Sequence, residues 1–292
     1  MTRRPLLSLI ILLVLFTAGG ASCPNVLHQY VDPLPPALSE APSLAEVIQV
    51  VNANSDKIRS FRTDDATIKI DGIAIPSLKT SIVYQQSKRF RLKADTPLVS
   101  GTEVDLGSND ELFWFWIKRN RPKNLYWCRH DHFKNSRARR VLPVDPAWLI
   151  EALGVARLDP RGEHRGPERQ ADGSLKVWTR LRTPAGDMTK VTIIDSLRGW
   201  VREQHLYDAQ DRLIASAVAS GHVSVPVDGN SANRVVLPQQ INIQWPAAEL
   251  SMKIDMGNVQ INQLDVSPEM WNKPSYSGWT DVDLGALTVP AK

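Results

Sequence analysis

Much of what usually makes a function readable is missing from this chain. Two of its 292 residues are cysteine, Cys23 near the N-terminus and Cys128 in mid-chain. A disulfide scaffold is therefore excluded, and the fold has to rest on buried apolar surface. No G-x-S-x-G, H-E-x-x-H, G-x-x-x-x-G-K-[ST] or G-x-G-x-x-G is present, so the common nucleophile, metalloprotease, phosphate-loop and dinucleotide signatures are absent. No catalytic residue and no cofactor is expected. Charge of one sign is lacking too: 35 Lys and Arg against 31 Asp and Glu leave +4. Loss of Arg3 and Arg4 with a leader would lower that by two to +2, which gives no argument for nucleic acid. There is no apolar run of the ~20 residues that comfortably span a bilayer, no repeat and no βαβ alternation.

What is present begins at the N-terminus. Arg3 and Arg4 precede an apolar run over residues 6–18, which thins into Gly19-Gly20-Ala21-Ser22. A basic start, a short apolar stretch and small residues describe a secretory signal peptide over residues 1–22. Cys23 directly after Gly-Ala-Ser resembles a bacterial lipobox, although Gly20 stands where that pattern prefers Leu. Cys23 is the expected lipidation site, with ordinary cleavage and an uncleaved anchor as alternatives. Residues 24–42 hold five prolines and no periodic apolar face, the composition of an extended tether. Residues 23–42 are thus read as lipidated cysteine plus tether.

Residues 43–271 read as one α+β domain. Ser43-Leu44-Ala45-Glu46 has the form of a capping box, opening an amphipathic helix over about 44–59. From Phe61 the period becomes two, as in Ala66, Ile68, Ile70 and in Phe90, Leu92, Ala94. "PVDPAWLIEALG" interrupts with a helix over 146–153: Asp145 suits its N-cap, Pro146 its first turn and Gly154 its stop. Residues 156–173 and 226–235 read as polar loops between further strands, and "SPEMW" at 267–271 as one helical turn. Short breaks favour antiparallel neighbours. The expectation is a large curved antiparallel sheet, an incomplete β-barrel of about ten to eleven strands, with helices over its concave face. Residues 272–292 read as a loosely attached tail.

Several stretches are similar in kind to the LolA/LolB-like bacterial lipoprotein carriers. They are "KIRSFRTDDATIKIDG" at 57–72, "LKTSIVYQQSKRFRLKAD" at 78–95, "VDLGSNDELFWFW" at 104–116, and "LPQQINIQW" followed by "LSMKIDMGNVQIN" near the C-terminus. The resemblance spans about residues 43–266 and rests on pattern rather than single residues. It implies an apolar cavity for acyl chains, lipid or a lipoprotein, closed by helices. It also implies a place in the bacterial envelope, facing the periplasm from the outer rather than the inner membrane. The soluble carrier's lid-locking arginine has no counterpart: "YQQSKRF" places Gln86 there, with Lys88 and Arg89 displaced, so that lid mechanism is not carried over.

Two constellations compete within "ELFWFWIKRNRPKNLYWCRHDH", residues 111–132. Cys128, His130 and His132 alternate as strand neighbours do and include metal-ligand types. Three ligands along one straight strand span more than one ion, so a buried thiol beside solvated histidines is the plainer account. On "LFWFWI", Leu112, Trp114 and Trp116 face one way while Phe113, Phe115 and Ile117 face the other. A strand apolar on both faces is covered twice, or lines a cavity on one side. The expected cavity residues are Ile68, Ile82, Tyr84, Phe90, Leu92, Trp114, Trp116 and Trp148, with helices 44–59 and 146–153 as lid. The basic run "KNSRARR" at 134–140 suits a solvated loop or an anionic surface. The leading expectation is a lipid-anchored, lipid- or lipoprotein-binding protein. The alternatives are a sensor or interaction module of the same fold and, last, a metal-dependent enzyme.

Overall fold

Period-two alternation becomes paired strands along most of the chain. The structure, a computed structural model, describes residues 36–71, 77–96, 101–133, 146–183, 186–246 and 249–286. Helix α1 (Leu44–Asp56) leads into β1 (Ser60–Ile70), β2 (Leu78–Gln85), β3 (Arg89–Asp95), β4 (Thr102–Ser108), β5 (Leu112–Ile117) and β6 (Asn124–Arg129). Short helices α2 (His130–Phe133) and α3 (Pro146–Ala152) follow. The second half contains β7 (Glu163–Arg169), β8 (Leu175–Leu181), β9 (Met188–Ile194), β10 (Val201–Tyr207) and β11 (Leu213–Ser220). It continues with β12 (Val223–Val227), β13 (Asn230–Leu237), β14 (Gln240–Trp245), β15 (Leu250–Asp255), β16 (Gln260–Ile261), a 3-10 turn at Pro268–Trp271, and β17 (Thr280–Asp283).

These strands form one 17-stranded sheet. Its hydrogen-bonded order is β17-β6-β5-β4-β3-β2-β1-β15-β14-β11-β10-β9-β8-β7. Strand β16 takes over from β15 alongside β1, and the β12–β13 hairpin prolongs β11 and β14. Pairing is antiparallel apart from β12–β16 and β17–β6. The sheet is open, with β7 and β17 as its edges. Helices α1 and α3 lie on one side, called the inner face here; the segment around residues 268–279 crosses the other, outer face.

The expected ten to eleven strands are too few, because some strands carry no apolar alternation. Strand β7, placed in the expected loop 156–173, is "EHRGPER" and largely solvent-exposed. Its charges and Pro167, beside Gly166 at φ 112°, suit an edge that must not pair further. In the expected loop 226–235, Asp228 and Gly229 take φ 52° and 72°. That tight turn returns the chain into β13, whose first residues are all exposed.

Local chemistry otherwise follows the sequence. The Ser43 hydroxyl accepts from the Glu46 amide at 3.2 Å. The Glu46 carboxylate turns instead to the Ser39 amide, 2.7 Å, and hydroxyl, 3.0 Å, so the capping box is half formed. Gly154, at φ 107°, stops the chain after α3; a Cβ there would lie 2.7 Å from Leu237 and Pro238. Among the described residues no helix is long and apolar enough to cross a membrane.

Candidate functional site

Six of the eight expected cavity residues meet on the inner face. Ile68, Ile82, Tyr84, Phe90, Leu92 and Trp148 belong to one apolar cluster. Register explains the meeting: Ile68 lies opposite Leu78, Ile82 opposite Leu92, and Tyr84 opposite Phe90, so all share one side of the pleat. The cluster continues through Ile254, Ile241, Ile243 and Ala217 to Leu206 on β10. Burial pushes the Tyr84 phenol above its ordinary pKa. None of the six is more than 5% exposed. The inner face is therefore closed over by side chains rather than open.

Helix α3 does the closing. It buries Trp148, Leu149, Ile150 and Ala152, each large side chain contributing about 1.5–3 kcal/mol. The Trp148 ring lies 6.5 Å from that of Trp245 on β14. Neither indole N–H has a partner although both are buried, which is unusual for a group that normally finds an acceptor. Glu151 ties α3 to the sheet by accepting from Lys190 Nζ on β9 at 2.6 Å.

Helix α1, the other expected lid, packs elsewhere. Val47, Ile48 and Val51 join Leu175, Val177 and Ile194 in a separate cluster. Asn52 exchanges two hydrogen bonds with the Leu158 backbone, at 2.8 and 2.9 Å, and Asn54 two with Val236, at 2.9 and 2.8 Å. Ser55 donates to the Ala156 carbonyl at 2.6 Å. Backbone-satisfying bonds of this kind make α1 a fixed wall.

Trp114 and Trp116 do not reach the inner cluster. The strand is two-faced as its sequence implies, but Phe113 and Phe115 take the inner side with Cys128, Phe133 and Leu284. The two tryptophans point outward with Leu125. Trp116 stacks on Tyr276 at 4.0 Å and meets Trp279 edge-on at 5.1 Å. Beneath them the buried Arg91 guanidinium donates to both Asp105 oxygens, at 2.8 and 2.6 Å. It also reaches the Met270 and Asn272 carbonyls, while Tyr276 donates to Asp105 at 2.6 Å. Burial first, then the Asp105 carboxylate, holds the Tyr276 phenol far above its ordinary range. The segment 272–284 is thus no loose tail. It straps the outer face, adds β17 beside β6, and tucks Leu284 against the inner cluster of Phe113.

The Cys128, His130 and His132 constellation is also rearranged. Strand β6 ends at Arg129, and the histidines stand on α2 instead of along a strand. The Cys128 Sγ is buried and donates to the Arg129 carbonyl. His130 Nε2 lies 2.9 Å from the Asn109 carbonyl oxygen and 3.3 Å from Ser108 Oγ, and Phe133 packs edge-on to Phe113 at 5.2 Å. Among the described residues no three His, Cys, Asp or Glu side chains are grouped to ligate a metal. Sequence reasoning missed a cleft of about 440 Å³ lined by Lys88, Ser108, His130, Asp131, Ala147 and Ile150 among others. Ile150 belongs to the main cluster as well, so the cleft opens at the rim of the inner face. The signal peptide, Cys23, most of the tether, Asp145 and the basic run at 134–140 lie outside the described residues.

No family model matches the sequence, and no curated protein does. Solved structures do match. A putative outer membrane lipoprotein-sorting protein domain from Vibrio parahaemolyticus superimposes with a TM-score of 0.50 at 8% identity, covering 76% of this chain and 95% of that one. A DUF1329 family protein from Desulfovibrio piger gives 0.49 at 14% identity, covering 78% and 96%. A LolA superfamily protein from Nitrosomonas europaea gives 0.47 at 12%, covering 77% and 97%. At 8% identity the likeness to the first of these is one of fold, and it agrees with the large curved antiparallel sheet expected from the sequence.

Proposed function

We propose that this chain is a non-catalytic protein of the bacterial envelope that holds acyl chains, of a lipid or a lipoprotein, against the inner face of its sheet beneath α3. Cys23 anchors it to the membrane, on the periplasmic side, and the partner is the donor or acceptor of the acylated cargo. The observation that carries the reading is the extent of the apolar inner face, continuous from Ala94 on β3 to Leu206 on β10, covered by a helix of only seven residues. Each methylene moved from water onto such a surface contributes about 0.8 kcal/mol. No reacting group is needed. The lipoprotein-sorting fold supports the same reading.

Native mass spectrometry of the protein extracted from membranes tests it. Co-purifying lipid that disappears on exchange into delipidating detergent is the expected result. The closed state of the cluster favours a second reading, a sensor or interaction module with a permanently filled core. Persistent absence of lipid from freshly extracted protein would leave that reading standing instead.

A further inference from the structure

We infer that Lys190 forms a headgroup site on the inner face, specific for an acyl lipid whose head carries a carboxylate or a phosphate. In the closed form the carboxylate of Glu151 occupies that place. The inference rests on the acyl-chain reading above and adds to it the chemical class of the ligand.

The inward positions of β9 are Met188, Lys190, Thr192 and Ile194. Met188 packs against the main apolar cluster and Ile194 belongs to the one under α1. A short polar belt therefore separates two apolar surfaces, as the head of an amphiphile separates its tail from its surroundings. Lys190 is 7% exposed. Among the described residues the other buried charges, Arg91, Glu103 and Asp105, sit on the outer side of β3 and β4, where Arg91 meets Asp105 and Glu103 meets Lys118 and Arg119. A buried ammonium is tolerated only when it is paired. The partner of Lys190 is supplied by α3, the element that has to move for a chain to reach the apolar face. Opening α3 thus strips Lys190 of its counter-ion at the moment the ligand arrives, and an anionic head restores what was lost.

Two groups beside Lys190 carry a buried polar atom without a hydrogen-bond partner. Thr192 and Gln204 lie directly opposite each other on β9 and β10. They are 2% and 3% exposed, and Thr192 Oγ1 and Gln204 Oε1 have no hydrogen-bond partner. Buried polar atoms left unsatisfied are rare and call for an explanation. The threonine hydroxyl can donate to an anion, and the glutamine amide offers a donor at its other end. Gln204 and Glu151 line the same small cavity of about 30 Å³, so the surrogate carboxylate and the glutamine side chain already share one space.

The test is a binding titration of the purified, delipidated full chain with cis-parinaric acid, with its methyl ester, and with inorganic phosphate as competitor. A charge-assisted contact is expected to favour the acid over the ester about tenfold or more. Lys190→Met should abolish that preference, acid and ester then binding alike, while Glu151→Gln, which removes the internal competitor, should tighten the acid more than the ester. Phosphate alone at millimolar concentration should not displace the acid; displacement would show a free-anion site and overturn the assignment to a lipid. Equal affinity for acid and ester in the unsubstituted chain overturns the headgroup site while leaving the acyl-chain reading intact. Binding of neither overturns both. If Lys190→Met does not fold, Glu151→Gln decides alone, and unchanged acid affinity in that variant counts against the proposal.

Discussion

The two faces of strands β2 to β5 use similar residues for different ends. On the outer side Trp114, Trp116, Tyr276 and Trp279 are gathered around the Arg91–Asp105 pair, and the cover is the chain's own C-terminal strap. On the inner side Ile82, Tyr84, Phe90 and Leu92 are covered by α3. The outer cover is hydrogen-bonded to a buried carboxylate, an arginine and a neighbouring strand. The inner cover is held by apolar contact and the Lys190–Glu151 pair. On the proposed reading the outer surface stays shut on directional bonds, and the inner surface opens on contacts that a ligand can replace.

Breaking the outer side should cost stability without touching ligand binding. Asp105→Ala leaves the Arg91 guanidinium buried and unpaired, and chemical denaturation should show a loss of about 3–5 kcal/mol. Gly107→Ala comes next. A Cβ there would lie 2.1 Å from the Trp114 ring, and forcing the indole off its seat should cost about 1–3 kcal/mol, measured the same way. The smallest effect is one of pH. Because the folded state holds the Tyr276 proton more tightly than the unfolded chain does, its stabilisation is complete below the ordinary phenol pKa of about 10 and is lost as pH rises beyond it. Denaturation midpoints should fall above that pH, and Tyr276→Phe should flatten the fall.

The inner face was legible from local pattern because Ile68, Ile82, Phe90 and Leu92 alternate with Thr67, Val83, Arg89 and Arg91. Register then had no choice but to bring them together. Pro146 and Gly154 likewise announced α3. The alternation of Trp114 and Trp116 against Phe113 and Phe115 revealed two buried faces and could not reveal which one a ligand would see. That depended on Tyr276, far along the chain, whose contacts have no local signature. Strand β7 stayed hidden because an edge strand rewards charge and proline over apolar alternation. Lys190 was hidden for another reason: in "MTKVTII" nothing distinguishes an inward lysine from an outward one until the pairing with β10 is known.

The contrast between the two faces comes down to which tryptophans a ligand approaches. Nitrogen-15 labelling of the indole groups, with the nine resonances assigned by substitution, allows each to be followed while a spin-labelled fatty acid is added. Trp148 and Trp245, whose N–H groups face the inner cluster without partners, should broaden first and most. Trp114 and Trp116 should keep their line widths. Broadening of Trp116 with Trp148 untouched would place the ligand beneath the strap and contradict the assignment of the inner face as the binding surface.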